Sequence, residues 1–293
     1  MRHVLDIDNL TPDDLTTVLD LAEVVPAPQV MAGRGAALIF EKPSNRTRNS
    51  TEMAVVGLGG HPVTIRAEEI GLGVREPVRD VTMVLAQYHA VLGARVFEHR
   101  VLEEMAALDV IPVVNLLSDV AHPCQALADL LTLRQRWGAL AGRTLAWVGD
   151  GNNVARSLTL AAAMSGITVR VACPPGHGLD EVALDAARGF GPVEVVATPA
   201  DAVAGADVVV TDTWVSMGQE DQQAARLDAF AGYQVNSKLM SGAGPDAVFL
   251  HCLPAHRGEE VTAEVIDGPA SLVWAEAANR MHAARGLLQW ILR

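Results

Sequence analysis

Read along the chain for apolar spacing, residues 10 to 25, "LTPDDLTTVLDLAEVV", open with Thr11, Pro12 and two acids and then repeat apolar residues at helical intervals, which predicts an entry helix. After it, short β-branched runs alternate with helical stretches. "GAALIF" is followed by a helix from about Arg46, then by "HPVTI", "AVLGARV" and "IPVVNL", and next by a long amphipathic helix through "CQALADLLTLRQRW". The second half carries "RTLAWVGD", "ITVRVACP", "VEVVA", "DVVVTD" and "AVFLHCLP". Strands alternating with helices predict an α/β fold, with parallel sheets covered by helices on both faces.

The central helix divides this pattern into two domains joined by interdomain helices. The expected bounds are 1–135 and 136–275, with a closing helix over 276–293 ("EAANRMHAARGLLQWILR") that returns to complete the first domain. No repeat or low-complexity tract interrupts the pattern.

Composition narrows the function. The 293 residues are 50% hydrophobic, enough for buried sheets, and 22 Lys and Arg against 35 Asp and Glu give a formal charge of −13. Such a chain does not hold nucleic acid or an anionic membrane by bulk charge, so any anion must be met by a local cluster. The N-terminus lacks the apolar core of a signal peptide and no segment approaches a membrane span, so a soluble, cytoplasmic protein is expected. Cys124, Cys173 and Cys252 lie far apart and without zinc-type spacing, indicating neither a disulfide framework nor a metal.

Ligands of parallel α/β sheets bind at the carboxyl ends of strands, beside helix N-termini. "FEKPSNRTRNS" stands there: Ser44, Asn45, Arg46 and Thr47 would offer backbone N–H groups, hydroxyls and a guanidinium to a phosphate. The plainer reading is a capped helix in which Arg48 pairs with Glu52 at i, i+4. In "HPCQ", His122 could donate to a carbonyl oxygen and Gln125 could read an amide, or His122 could only open the next helix; Cys124 reads as a small packed residue. "WVGDGNNVARS" imitates a dinucleotide fingerprint, but the following strand ends in "RVACPPG" without the acid a ribose needs. Asn152 and Asn153 would serve a polar substrate or a turn. "TDTWVSMG" sets Asp212, Ser216 and Met217 on one loop, suited to an ammonium group, or merely ends a strand. "LHCLPAHRG" places Cys252 after a strand near His251, His256 and Arg257, and Arg280 in "ANRMH" could be a surface residue.

Taken in order, "FEKPSNRTR", "HPCQALADLLT", "VGDGNNVARS", "DTWVSMGQED", "YQVNSKLM", "FLHCLPAHRGEEVT" and "ANRMH" resemble the motif set of ornithine carbamoyltransferases from about residue 5 to the last helix. The resemblance implies that Ser44, Asn45, Arg46, Thr47 and Arg95 bind the phosphate of carbamoyl phosphate. It implies that His122 and Gln125 hold the carbamoyl group, with Arg280 and the backbone around Cys252 and Leu253 completing the pocket. Asn153, Asp212, Ser216 and Met217 would hold L-ornithine, with Cys252 near its δ-amine and Arg95, His122, Asp212 and Cys252 as the catalytic set. The same resemblance implies two α/β domains, one per substrate, a homotrimer, citrulline and phosphate as products, and no metal or organic cofactor.

Two residues depart from the family's pattern: Asn45 stands where threonine is usual, and Glu68 where a glutamine contacting carbamoyl phosphate is common, so Glu68 is left out of the site. The rivals are a carbamoyltransferase for an acylated ornithine or for putrescine, an aspartate carbamoyltransferase, a non-catalytic carbamoyl phosphate-binding homologue and a nicotinamide dehydrogenase. Asp212 argues for free ornithine, whose α-ammonium it can neutralise.

Overall fold

The computed structural model describes residues 1–215 and 220–293. Four strands, β1 (Gly35–Phe40), β2 (His61–Arg66), β3 (His89–Arg95) and β4 (Val113–Leu117), form a parallel sheet in the order β2-β1-β3-β4. Five more, β5 (Thr144–Val148), β6 (Thr168–Ala172), β7 (Val193–Val195), β8 (Val208–Val210) and β9 (Val248–Leu250), form a second parallel sheet in the order β7-β6-β5-β8-β9. Each sheet has its own compact unit, Met1–Leu131 with Ala278–Arg293 for the first and Thr132–Ala277 for the second.

Strand composition follows position in the sheet. "GAALIF" is buried at every position after its glycine, as an inner parallel strand covered on both faces requires. "HPVTIR", with a proline that cannot donate to a ladder, lies at the edge and is partly exposed throughout. In the first unit Ile39, Leu92, Leu102 and Met105 are fully buried in one cluster, and in the second Val148, Val209, Phe249 and Val261 do the same.

Local signals set the helix ends. Thr11 Oγ1 accepts from the Asp14 N–H at 3.1 Å while Asp14 Oδ2 accepts from the Thr11 N–H at 3.1 Å, a reciprocal cap on the helix Pro12–Glu23. The part of the last helix, Val273–Ile291, that follows Ala277 belongs to the first unit and packs on this first helix. A Cβ on Gly286 would collide with the Val18 carbonyl and the Ala22 backbone nitrogen, so only glycine permits that approach. Arg285 Nη2 also donates to the Ala22 carbonyl at 2.6 Å, and Trp290 Nε1 to Asp14 Oδ1 at 3.1 Å.

Two strands are shorter than their apolar runs. "VEVVA" pairs only over Val193–Val195, and "AVFLHCLP" only over Val248–Leu250, because the His251 N–H donates to the Glu276 carboxylate at 2.9 Å. Both sheets reverse their order at an inner strand. The first does so between β1 and β3, the second between β5 and β8, and the loops leaving these pairs are where an open α/β sheet presents its crevice.

Candidate active site

In the first unit, Phe40 and Arg95 end β1 and β3 side by side, and the Glu41 N–H donates to the Arg95 carbonyl at 2.9 Å. The chain then enters the helix Asn45–Gly57, capped by Ser44, whose Oγ accepts from the Thr47 N–H at 3.3 Å. Arg280 fixes the far side. It is 4% exposed, donating through Nη1 to Gln125 Oε1 and through Nη2 to Thr47 Oγ1 at 3.1 Å. Gln125 is oriented in turn, since its Nε2 donates to Asp129 Oδ1 at 2.7 Å, and both residues are buried. A planar guanidinium thus joins two motifs 78 residues apart, Thr47 and Gln125, to the last helix.

His122 lies in this group and is buried. Burial first, then the guanidiniums of Arg280, Arg95 and Arg46, hold its imidazole well below the usual histidine range, so the ring is neutral. A neutral imidazole surrounded by fixed positive charge is a hydrogen-bond donor suited to a carbonyl oxygen that gains negative charge. The turn before it is organised by Asn115, whose Nδ2 donates to the Leu5 carbonyl at 2.8 Å, to Ser118 Oγ at 3.1 Å and to the Ala121 carbonyl at 3.2 Å. Cys124 is structural: burial pushes its thiol up to about 11, and it donates to the Asn115 carbonyl.

The outlying residues of the motif have separate roles. Arg48 Nε pairs with Glu52 Oε1 at 2.9 Å, the i, i+4 contact expected of a simple helix face. Asn45 is exposed, and its carbonyl accepts from Asn49 Nδ2 at 2.8 Å; Glu68 is also exposed.

In the second unit, Asn152 caps the helix Asn153–Met164 by accepting from the N–H groups of Val154 and Ala155, each at 3.0 Å. Its Nδ2 donates to Asp212 Oδ2 at 2.8 Å. Cys252 Sγ donates to the other oxygen, Asp212 Oδ1, at 3.1 Å. Three loops, after β5, β8 and β9, therefore converge on one carboxylate at the switch point of the second sheet. Asn153 begins the helix, but it is Asn152 that bonds Asp212. Ser216 and Met217 lie outside the described residues.

The glycine-rich turn after β5 has a structural explanation. A Cβ on Gly151 would stand 2.5 Å from Gly178 C and Leu179 N, and the Gly151 N–H donates to the His177 carbonyl at 2.8 Å. Glycine is required here by a neighbouring loop, occupying the approach that a pyrophosphate takes in a dinucleotide fold.

Several partners are invisible to motif reading. Asp150 is bonded by Arg226 Nη2 at 2.5 Å, and Arg226 Nε also donates to the Trp214 carbonyl at 2.5 Å, tying the turn after β5 to the loop after β8. Burial pushes the Asp150 carboxyl up to about 6 against the pull of Arg226, and Asp212 adds to the rise. Leu253 has φ +60°, a left-handed conformation costly for a branched side chain, and the buried pair His251 and Glu260 stands beneath it. The acid in "GEE" and the arginine in "AAR" carry no spacing that marks such partners in one sequence.

Both halves of the chain match one family. Residues 2–135 match the aspartate/ornithine carbamoyltransferase carbamoyl-P binding domain, and residues 141–291 match the Asp/Orn binding domain of the same family. An ornithine carbamoyltransferase of Haloquadratum walsbyi is 49% identical over 294 residues, covering 99% of this chain and 97% of the relative. Among solved structures, ornithine carbamoyltransferase from Thermus thermophilus superposes with TM-score 0.92 at 44% identity, covering 100% of this chain and 99% of the other. The enzyme from Pyrococcus furiosus gives 0.93 at 42%, covering 98% and 96%. With both domains matched across nearly the whole length, the chain belongs to the aspartate/ornithine carbamoyltransferase family, among its ornithine carbamoyltransferases.

Proposed function

We propose that this protein transfers the carbamoyl group of carbamoyl phosphate to the δ-amine of L-ornithine, giving L-citrulline and phosphate. The observation that carries the reading is the arrangement of Arg280, Thr47 and Gln125 beside a neutral His122 that is flanked by three guanidiniums. This donor set is buried and positive in a protein of net charge −13, which is what a phosphorylated carbonyl compound requires.

In this reading the first domain holds carbamoyl phosphate. Ser44, Asn45, Arg46, Thr47 and Arg95 take the phosphate oxygens, Thr47, Arg95 and His122 stabilise the carbonyl oxygen as charge grows on it, and Arg280 completes the pocket. Gln125 and the backbone at Cys252 and Leu253 address the carbamoyl group. The Leu253 N–H already donates to His251 Nδ1 at 2.9 Å, so the backbone there offers carbonyl oxygens, which complement a carbamoyl NH₂.

The second domain takes ornithine, with Asp212 opposite its α-ammonium, Asn153, Ser216 and Met217 about its amino-acid end, and Cys252 beside the δ-amine. An alkylamine with pKa about 10.4 is almost wholly protonated at neutral pH, so the site has to favour the neutral nucleophile. The amine attacks the carbamoyl carbon directly and phosphate leaves with the bonding pair. No acyl-enzyme forms, and the acceleration comes from positioning and charge stabilisation.

We further propose a homotrimer acting in the cytoplasm in arginine metabolism. Among the described residues, no helix is long and apolar enough to cross a membrane.

Citrulline formation from carbamoyl phosphate with L-ornithine, run beside N-acetylornithine, putrescine and aspartate, tests the activity. Turnover confined to ornithine is expected. Turnover with another amine would overturn the Asp212 assignment, and none with any would leave a non-catalytic binding protein.

A further inference from the structure

We propose that Glu260 is a positioning residue: one buried carboxylate holds both the Cys252 loop and the Asp212 loop through two histidine relays. The proposal rests on the ornithine-side reading above and adds Glu260, His256 and Thr213, which that reading does not use. Glu260 and His251 have no exposed side-chain surface, and His251 Nε2 lies 3.2 Å from Glu260 Oε1. The Leu253 N–H donates to His251 Nδ1 at 2.9 Å. Because Nδ1 accepts, the ring proton stands on Nε2 and points to Glu260. This relay secures the left-handed Leu253, next to Cys252.

The second relay runs through His256. Its backbone N–H donates to Glu260 Oε1 at 2.6 Å, and its Nδ1 is 3.6 Å from Glu260 Oε2 and 3.0 Å from Thr213 Oγ1. Thr213 Oγ1 donates to the Val215 carbonyl at 3.1 Å, so it accepts from the histidine. Thr213 follows Asp212. Glu260 is thereby linked to both loops whose tips meet in the Cys252–Asp212 hydrogen bond. Both donors converge on Oε1 of a carboxylate with no exposed side-chain surface, where burial is costly without them, so holding those two donors holds the loops that carry them.

The test uses the full-length protein with Glu260→Ala, Glu260→Gln, His251→Asn, His251→Gln and Thr213→Val, folding being checked by circular dichroism melts. Two readouts are taken: kcat and KM for ornithine, and the labelling rate of Cys252 by a thiol reagent in protein without substrate. Cys124 is buried, but Cys173 is half-buried like Cys252, so the labelling is run in a Cys173→Ser background in which it reports on Cys252. Labelling is independent of turnover, and so separates failure of the relay from failure of the ornithine reading.

Glu260→Ala should lower kcat/KM for ornithine about 100-fold and speed labelling several-fold, as loss of alignment does. Glu260→Gln keeps an acceptor oxygen and should recover most of both. His251→Asn can place an oxygen where Nδ1 stands, and should outperform His251→Gln by about tenfold. Thr213→Val, at the partly buried end of the relay, should show a smaller shift in the same direction. Folded Glu260→Ala with unchanged kinetics and labelling, or Gln no better than Ala, would overturn the proposal. Should Glu260→Ala not fold, Thr213→Val with wild-type labelling and kinetics would overturn the second relay, and His251→Gln equal to His251→Asn the first.

Discussion

Replacing Arg280 by lysine keeps the positive charge beside His122 and removes the fork. In the protein the two guanidinium nitrogens reach different partners, Nη1 to Gln125 Oε1 and Nη2 to Thr47 Oγ1, from a side chain that is 4% exposed. An ammonium is a single point and cannot occupy both positions. One charged hydrogen bond is therefore lost from the ordered set, a cost of about 1.5–3 kcal/mol in a buried site. Expressed on carbamoyl phosphate binding, that is about a 10- to 150-fold weaker Kd.

Titration calorimetry on the Arg280→Lys protein, with inorganic phosphate as a stable competitor, measures it. Thr47→Val supplies the control. Since the Thr47 hydroxyl, besides its place at the phosphate, is one of the two partners that Arg280 joins, the double variant should cost less than the sum of the two single changes. A lysine variant that binds within about twofold of wild type, or strict additivity with Thr47→Val, would refute the fork as the organising element.

Other outcomes follow from single contacts. Asp212→Asn should raise KM for ornithine by about 10- to 100-fold and leave carbamoyl phosphate affinity nearly unchanged, read from paired saturation curves. Gly286→Ala should lower the melting temperature by several degrees through the collision with Val18 and Ala22, and full stability would contradict the helix contact. Asp150 binds its proton more tightly when folded, about 6 against an ordinary 3.8. Between those values the unfolded chain has ionised while the folded one has not, so this group's contribution to stability is present below pH 3.8 and is lost as pH rises through about 6. Urea titrations should therefore show wild type falling relative to Asp150→Asn across that window, and a constant difference would contradict the shift.

The sequence carried the fold well where burial is continuous. "GAALIF" and "TLAWV" read as inner strands because parallel strands under helices have no polar face to show. The first cluster was legible for another reason: Ser44, Thr47, His122 and Gln125 all sit within four residues of a strand end or helix start, where chemistry concentrates. Their partner Arg280 lies mid-helix in "ANRMH", and periodicity gives it no role; only the motif order pointed there. Asp129, Arg226 and Glu260 were not legible at all: Arg226 bonds Asp150 from 76 residues away, and although Asp129 and Glu260 lie within nine residues of the side chains they orient, no pattern marks an acid as a partner to Gln125 or His251. Pattern reveals which face a residue occupies, and it does not reveal what that residue touches. The glycines of "GDGNN" show the converse, a familiar pattern produced by the backbone of residues 177–179 pressing on Gly151.

The Asp212 pair also bears on how an amine could be received. Both carboxylate oxygens already have donors, Asn152 Nδ2 on Oδ2 and Cys252 Sγ on Oδ1. These donors are unequal: an amide N–H is a firm donor, whereas a thiol is a weak one. An arriving ammonium can displace the thiol at Oδ1 and leave the amide bond that orients the carboxylate intact. Displacement would turn the Cys252 sulfur, a weak acceptor, toward the amine end of the same substrate, so one exchange both seats the ligand and arms the sulfur. Cys252→Ser tests this: the stronger hydroxyl donor should compete with the ammonium, raising KM for ornithine by about tenfold, whereas Cys252→Ala, which offers no competitor, should lower KM while reducing kcat. If both replacements moved KM in the same direction, the exchange would not be the step by which ornithine is received.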